Sequence, residues 1–109
     1  MTDLILILTT MPDDDRAERL ARTLVEERLA ACVNVQAPMT SLYRWHDTLE
    51  VESERQLVIK TTRARLAALE ARLRALHPYE VPEFVVLGAS ASDVYAGWVS
   101  ETTTVGDAR

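Results

Sequence analysis

The segment "HPYEVPE", residues 77–83, holds several side chains that could bind a ligand. Imidazole is the commonest metal ligand and titrates near neutral pH, so His77 is a candidate metal ligand. A histidine at a helix end can equally serve as a partner of the helix dipole. Glu80 and Glu83 could supply oxygen ligands or a general base, although loop carboxylates are more often simply solvated, and Tyr79 could donate a hydrogen bond or be an interface aromatic. The prolines suffice to end a helix and start a strand, so we expect the histidine and glutamate to face a site.

Cys32 is a second candidate metal ligand because thiolate is a soft donor for Cu(I), zinc and similar ions. A free cysteine is more often a small buried hydrophobe. If the second strand begins at Cys32 and the second helix returns the chain to the same end of the sheet, Cys32 could approach His77 and Glu80 within one subunit or across an interface. Such a set would suit Cu²⁺, Cu⁺ or Zn²⁺ better than Mg²⁺. The spacing is not that of a closed structural zinc site, so an open or shared site is predicted.

Lys60 is a single cation near the end of an otherwise apolar strand, in the stretch "VIKTT". It could bind an anionic ligand or pair with Glu52 or Glu54, and we prefer the ion pair. The sequence contains no phosphate-binding glycine loop, no zinc-protease motif and no nucleophile elbow. No catalytic residue is therefore predicted, and the sequence indicates a binding protein rather than an enzyme.

The composition indicates one domain over residues 1–109. Hydrophobic residues make up 48% of the chain, enough for a single core, although a chain of this size gains stability by associating. The net charge of -5 argues against nucleic acid as a partner, because phosphate backbones are bound by clustered Lys and Arg. The N-terminal stretch lacks the basic region and the long apolar run of a signal peptide or a membrane span. We expect a cytoplasmic protein with no membrane partner and a frayed tail over about residues 103–109.

Hydrophobic periodicity predicts the elements that position these side chains. "DLILILTT" has the length of a strand, and apolar residues then recur at helical spacing from Asp13 to Leu29. "CVNVQ" follows as a second strand with almost no loop, parallel to the first strand but not its neighbour. Residues 39–61 alternate as a long hairpin, with Pro38 marking a bulge or an edge position.

A second helix over residues 62–76 follows, with leucines at helical spacing and Thr62 as its N-cap. "EFVVLGA" is the fourth strand, and Ser92 is expected to cap a short third helix. The apolar face of that helix comprises Val94, Tyr95, Trp98 and Val99. The order β-α-β-β-α-β plus a C-terminal helix predicts an α+β ferredoxin-like sandwich, with one four-stranded sheet and two helices on one face.

The lengths of these elements predict an assembly. A helix of about 15 residues covers ~22 Å, whereas a hairpin arm of about 13 residues reaches ~43 Å, so the hairpin overhangs the helices. A two-stranded ribbon is marginal in water, and this one carries many apolar side chains. They are Leu42, Tyr43, Trp45, Leu49 and Val51. We therefore predict that another copy of the chain covers the hairpin and the exposed face of the sheet.

The sequence resembles the CutA family of divalent-cation tolerance proteins over residues 4–99. The motifs "LAACVN", "SLYRW" and "HPYEVPE", with "KT" at the end of the hairpin, stand in the family's order. The resemblance implies a ferredoxin-like subunit in a homotrimer with interlocking hairpins, similar in design to the PII signalling proteins. It also implies a link to divalent-metal tolerance, with copper the ion most often named.

The resemblance implies particular site residues as well. The positions that correspond to the family's metal ligands are Cys32 and His77, with Tyr79 and Glu80 in the same motif. The hairpin turn "HDT" departs from the Gly-Lys or similar pair of many members and adds His46 as a potential accessory ligand.

Two functions are compatible with these features. The first is a cytoplasmic homotrimer that binds a soft or borderline divalent metal such as copper at the metal-ligand positions. The second is a PII-like trimer that binds a small anionic effector in a cleft between subunits, lined by Lys60, Glu54 and Tyr79; this rests on analogy of fold. An enzyme that uses His77 and Glu80 as acid and base ranks last, since no nucleophile or substrate pocket is identifiable.

Overall fold

A computed structural model of the chain describes residues 3–104. The elements run in the order β1 (Leu4–Pro12), α1 (Arg16–Glu26), β2 (Cys32–Val35), β3 (Met39–Trp45), β4 (Thr48–Thr62), a 3₁₀ turn (Arg63–Arg65), α2 (Leu66–Leu76), β5 (Val85–Gly88) and α3 (Asp93–Thr103). The predicted α+β architecture is confirmed. Within residues 3–104, no helix is long and apolar enough to cross a membrane.

The strands form one antiparallel sheet in the order β2-β4-β1-β5, with β3 paired to the outer part of β4. Since β4 lies between β1 and β2 and is antiparallel to both, β1 and β2 are parallel but not adjacent, as predicted. Helices α1 and α2 pack on one side of the sheet, here called the helix face. Its fully buried strand residues are Ile5, Ile7, Thr9, Met11, Leu57, Ile59 and Thr61. Side chains alternate along a strand, so their neighbours in sequence point to the opposite side, here called the open face.

Pro38 interrupts the outgoing arm of the hairpin, so β2 and β3 are two segments of one strand that runs along β4. Val35 lies opposite Leu57, and Met39 lies opposite Glu54. Three residues of the outgoing arm therefore face only two residues of β4, which is a β-bulge. The predicted bulge at Pro38 is confirmed, because a residue without an N–H cannot donate to the ladder.

The connection from α1 to β2 is longer than predicted. After the helix ends, Arg28 adopts a left-handed φ of 60°. Its N–H donates to the Val25 carbonyl at 3.0 Å, and the N–H of Leu29 donates to the Leu24 carbonyl at 2.9 Å. These two bonds form a Schellman motif, which usually has a glycine at the left-handed position. No glycine signalled the turn in the sequence, and the motif places Leu29 in the core.

The two predicted helix caps have different outcomes. Ser92 is confirmed as the cap of α3, because its Oγ accepts a hydrogen bond from the Tyr95 N–H at 3.2 Å. Thr62 occupies the cap position of the 3₁₀ turn in an extended conformation, but its side chain makes no capping hydrogen bond. The α-helix itself starts only at Leu66.

The C-terminal helix departs from the sequence prediction at three positions. Val94 and Trp98, both assigned to its apolar face, are 86% and 44% exposed, whereas Val99 is buried as expected. Thr103, placed in a frayed tail, is the buried last residue of α3, and its hydroxyl donates to the Val99 carbonyl at 2.9 Å. Most of the predicted tail, residues 105–109, lies outside the described residues.

The hairpin extends far beyond the helices. An 11-residue helix covers about 16 Å, whereas the 15 residues of β4 span about 50 Å. On the side of the hairpin that continues the helix face, three apolar side chains, here called the apolar ribbon face, have no cover from the chain itself. They are Leu42, Leu49 and Val51, which are 64%, 63% and 58% exposed. The predicted overhang is confirmed, and the association that would cover it stays a prediction.

The hairpin turn is strained at two residues. Trp45 pairs with Thr48, so His46 and Asp47 form a two-residue turn with φ values of 51° and 62°. Positive φ at both positions defines a type I′ turn, for which Asn-Gly is preferred. We expect the double variant His46→Asn/Asp47→Gly to raise the free energy of unfolding by about 1 kcal/mol, measured by urea unfolding at fixed protein concentration.

Asp47→Ala is the matched control for this turn. It keeps the left-handed backbone but removes the short polar side chain that tolerates this conformation, so it should lower the stability. An Asn-Gly variant that is no more stable than the wild type would contradict the turn geometry.

Candidate functional site

The loop over residues 77–83 wraps around the free end of β1. Strand β5 pairs only with residues 5–8 of β1, which leaves the edge at residues 9–12 for the loop. The loop begins where α2 ends, on the helix face. It ends near Gln56, which is on the open face and whose amide donates to Glu83 at 3.1 Å. The loop therefore carries the chain around the sheet edge from one face to the other.

His77 is a buried, fully hydrogen-bonded residue at the start of this loop. Its backbone is extended, as predicted for a residue before proline, and the residue is only 9% exposed. The ring Nδ1 accepts from the Tyr79 N–H at 3.2 Å, and Nε2 lies 2.8 Å from the Thr10 carbonyl oxygen. A carbonyl can only accept, so Nε2 carries the proton and donates. Both ring nitrogens are therefore engaged, and neither has a lone pair free for a metal ion.

The environment of His77 favours the neutral ring. Burial lowers the pKa of His77 below its usual 6.5, and this effect outweighs the hydrogen bond to Thr10 and the charge of Glu54, which both raise it. The ring is thus uncharged at neutral pH, in agreement with the tautomer that the hydrogen bonds require.

Glu54 and Tyr79 form a short hydrogen bond where the loop meets β4. The Tyr79 hydroxyl donates to Oε2 of Glu54 at 2.6 Å, and Glu54 is only 6% exposed. Burial first, and the Glu54 carboxylate second, raise the pKa of Tyr79 far above its ordinary range, so the phenol stays a donor. In the described part of the chain, the other oxygen of Glu54 has no hydrogen-bond partner and no cation within ion-pair distance.

A cleft of about 610 Å³ opens between the hairpin and the loop, and we call it the ribbon cleft. Its principal chemical groups are those of Tyr43, Trp45, Glu54, Tyr79, Glu80 and Glu83. Strand pairing places Tyr43 opposite Glu50 and Met39 opposite Glu54, so the aromatic and acidic residues share one side of the hairpin. Burial, followed by the neighbouring glutamates, raises the pKa of Tyr43. The cleft is therefore aromatic and negatively charged.

Cys32 and His77 are not brought together within one chain. Cys32 lies opposite Lys60 on the open face, and Lys60 in turn lies opposite Leu6. The His77 ring binds the Thr10 carbonyl on β1. Thr10 lies two strands across the sheet from Cys32 and four residues along β1 from Leu6, so Cys32 and the His77 site are about 16 Å apart at ordinary strand spacings. Among residues 3–104, no group of three or more His, Cys, Asp and Glu side chains is placed to hold a metal ion. Glu80 is exposed at the ribbon cleft, apart from Cys32.

Lys60 is half-buried on the open face, and the preferred ion pair with Glu54 or Glu52 is wrong. Glu54 lies six residues along the same strand, about 20 Å away in an extended chain, and Glu52 lies farther still. No ion pair to Lys60 occurs within the portion of the chain that the structure describes.

Comparison with known proteins decides the family. The model of the family described as CutA1 divalent ion tolerance protein matches residues 5–102. The chain belongs to the CutA1 family. The divalent-cation tolerance protein CutA of Thermus thermophilus is 43% identical over 99 residues, covering 90% of this chain and 96% of that protein. The protein of the same name from Pectobacterium atrosepticum is 44% identical over 92% of both chains.

A solved CutA1 structure has the same fold. The crystal structure of the divalent ion tolerance protein CutA1 from Ehrlichia chaffeensis matches with a TM-score of 0.90 at 30% identity. The match covers 96% of this chain and 99% of that one. The family resemblance inferred from the sequence motifs is therefore confirmed, and the described fold is that of CutA1 proteins.

Sequence reasoning missed the acidic and aromatic wall of the ribbon cleft in this CutA1 family member. Tyr43 and Trp45 were placed correctly on one side of the hairpin but were expected only to be covered by another copy. The signal that could have found the wall is the register: once His46 and Asp47 are the turn residues, Glu50 must face Tyr43. The sequence also could not show that the Thr10 carbonyl fixes the His77 ring.

Proposed function

We propose that this CutA1 family member is a cytoplasmic homotrimer that binds a divalent cation, with copper the first candidate, through side chains of more than one copy. The family relation supports the link to divalent cations. The apolar ribbon face and the open sheet face support association. The proposed number of subunits, three, rests on the family resemblance.

A single copy does not fit a metal ion. Both nitrogens of His77 are hydrogen-bonded, Cys32 lies about 16 Å from the His77 site, and Glu80 is an isolated exposed carboxylate. The observation that carries a shared site is the position of Cys32, a half-buried thiol on the open face. The same face exposes 41% of Val85 and 44% of Leu87, so a second copy packed here would bring its own side chains to Cys32.

Light scattering and titration calorimetry together test this proposal. We expect a molar mass near three times the subunit mass of 12.2 kDa, and Cu²⁺ binding that weakens at acid pH because protons compete for the ligands. Cys32→Ser should weaken Cu²⁺ binding by about tenfold or more, whereas the distant surface variant Glu101→Gln should leave it unchanged. A monomeric wild type, or identical isotherms for wild type and Cys32→Ser, would overturn the proposal.

Glu80→Gln and His77→Gln examine the remaining members of the predicted ligand set. Loss of affinity in Glu80→Gln would add the carboxylate to the shared site. Unchanged affinity in His77→Gln would remove His77 from the ligand set while leaving Cys32 in place.

A second candidate function, binding of a small anionic effector, is supported by one observation. Lys60 is half-buried on the open face with no carboxylate partner in residues 3–104. The two other residues assigned to that site, Glu54 and Tyr79, instead belong to an acidic cleft, which would repel an anion. Thermal shifts induced by phosphate and citrate in the wild type, but not in Lys60→Gln, would support this function; equal shifts in both would remove it.

A further inference from the structure

A second cavity lies at the end of the sheet that is farthest from the hairpin turn, where Leu4 pairs with Thr62. Its volume of about 590 Å³ is in the range of small-molecule sites. One flank of α3 forms one wall, and the 3₁₀ turn with the adjoining ends of β1 and β4 forms the other. We call it the terminal cavity. Its lining includes Asp3, Thr62, Ala64, Arg65, Asp93 and Gly97.

The terminal cavity carries charges of both signs that do not pair with one another. Arg65 supplies the cation, and Asp3 and Asp93 supply two carboxylates. None of these three side chains takes part in an ion pair within residues 3–104. The guanidinium and the carboxylates are therefore too far apart to neutralise each other. Such a surface is complementary to a small molecule that itself carries both charges.

Arg65 and Thr62 form the part of the cavity that suits a carboxylate. The Nε of Arg65 donates to the Arg28 carbonyl at 3.3 Å, which orients the guanidinium. A guanidinium binds a carboxylate through two parallel hydrogen bonds. Thr62 is only 9% exposed, lines the cavity and makes no capping hydrogen bond, so its hydroxyl is available to a ligand.

Arg28 connects the two walls of the cavity. Its carbonyl accepts from Arg65, and its Nη1 donates to the Thr102 carbonyl of α3 at 2.9 Å. Tyr95 and Val99 hold α3 on the end of the sheet. The cavity is therefore formed by a single chain and does not need a second copy to complete it.

Gly97 leaves space in front of the α3 wall. A Cβ atom built at this position meets no atom within 4 Å. The small side chain of Ala64 lies in the same lining, and Ser100 and Thr104 add hydroxyl groups. The cavity therefore has room for a compact ligand with a short polar side chain.

The cavity flank of α3 is not the flank that carries its exposed apolar residues. Val94 and Trp98 are 86% and 44% exposed, and they lie roughly a third of a turn around the helix from Asp93 and Gly97. Association of copies through the hairpin or through Trp98 therefore leaves the terminal cavity accessible.

We propose that the terminal cavity binds a small polar α-amino acid of the serine type. The ligand carboxylate binds the Arg65 guanidinium and the Thr62 hydroxyl, and the ligand ammonium group binds Asp93, with Asp3 adding negative charge. A simple anion would be repelled by the two carboxylates, and a simple cation would leave Arg65 without a partner. The proposal is independent of the metal site proposed at Cys32, since Cys32 does not line this cavity.

Titration of the ¹⁵N-labelled full chain with L-serine, followed by NMR chemical shifts, tests the proposal. Two matched ligands each lack one charge of serine: ethanolamine has no carboxylate, and 3-hydroxypropionate has no ammonium group. We expect serine to shift the amide signals of Ala64 and Gly97, and both analogues to bind at least about tenfold more weakly.

Two pairs of variants locate the ligand in the cavity. Arg65→Gln should weaken serine binding at least about tenfold, whereas Arg22→Gln, which removes the same charge from an exposed position of α1, should not change it. Gly97→Leu should abolish binding because its side chain fills the cavity. Gly97→Ala adds only one methyl group in open space and should retain binding.

Three outcomes would overturn the proposal. They are no shift with serine, an affinity for either analogue equal to that for serine, and shifts confined to the hairpin rather than to Ala64 and Gly97. The dispersion of the NMR spectrum shows whether each variant is folded. If Arg65→Gln is not folded, equal serine binding by Gly97→Leu and Gly97→Ala would overturn the proposal by itself.

Discussion

The double variant Leu49→Glu/Val51→Glu is expected to be a folded monomer. Both side chains lie on the apolar ribbon face, 63% and 58% exposed, where the chain itself provides no cover. Burying one such side chain is worth about 1.5–3 kcal/mol, and a trimer would lose six of them. Each substitution also introduces a charge that would have to be desolvated in the interface. The loss of association should therefore be complete at micromolar concentration.

Light scattering coupled to gel filtration measures this effect directly. The control is Ala75→Glu, which adds one glutamate at an exposed position of α2 and should leave the assembly intact. Far-UV circular dichroism should show that the double variant retains its helices, because α1 and α2 pack on the core and not on the hairpin. A double variant with the mass of the wild-type assembly would show that the ribbon is not the interface.

The sequence predicted the fold well where the chain follows simple periodicity. The aliphatic β1, the alternating hairpin and the leucines of α2 gave the element order and the parallel relation of β1 and β2. The proline rule predicted both the bulge at Pro38 and the extended backbone of His77. These features depend on local sterics, so the sequence alone determines them.

The errors arose where a residue adopts a conformation that its type does not favour. Arg28 takes the left-handed position that normally signals itself by a glycine, so the turn after α1 was missed. Val94 has helical spacing with Trp98, but both are exposed, and α3 packs on the sheet through the narrower stripe of Tyr95 and Val99. Tertiary packing determined both the turn at Arg28 and the exposure of Val94, and no rule based on local sequence could have predicted them.

The candidate site also combines features that follow from the local sequence with features that depend on the tertiary structure. The sequence singled out the loop at residues 77–83, of which residues 78–83 line the ribbon cleft and His77 does not. It could not show that β5 stops at residue 8 of β1, which lets the loop turn around the sheet edge and separates His77 from Cys32. The two residues were grouped by chemistry, whereas the register of β2 on β4 places them about 16 Å apart.

His77→Leu is expected to lower the free energy of unfolding by about 2–4 kcal/mol, even with all metal removed by EDTA. The leucine removes the partner of three polar groups, the Thr10 carbonyl, the Tyr79 N–H and the buried Thr9 hydroxyl, and each unsatisfied buried group costs about 1–3 kcal/mol. Urea unfolding at fixed protein concentration measures the change. His77→Gln, which can both donate and accept, should recover part of the loss.

The same ring should make the stability depend on pH in a defined direction. Because burial lowers the folded-state pKa of His77 below 6.5, the unfolded chain binds a proton first as the pH falls. The contribution of the neutral ring is fully present above about pH 6.5 and is lost as the pH falls through the folded-state pKa. His77→Leu should lack this component of the pH dependence, whereas His46→Asn, at the exposed hairpin turn, should retain it.

These measurements separate the two roles that a histidine in this loop can have. A histidine with a structural role stabilises the fold even in EDTA, since its ring nitrogens hold Thr10 and Tyr79 in place. That stabilisation is lost at acid pH. A metal ligand contributes stability only when the ion is present, because its nitrogen must be free to coordinate. If His77→Leu is as stable as the wild type in EDTA but loses Cu²⁺ binding, the ring must leave the Thr10 carbonyl to bind metal, and the arrangement described for this loop would be only its metal-free form.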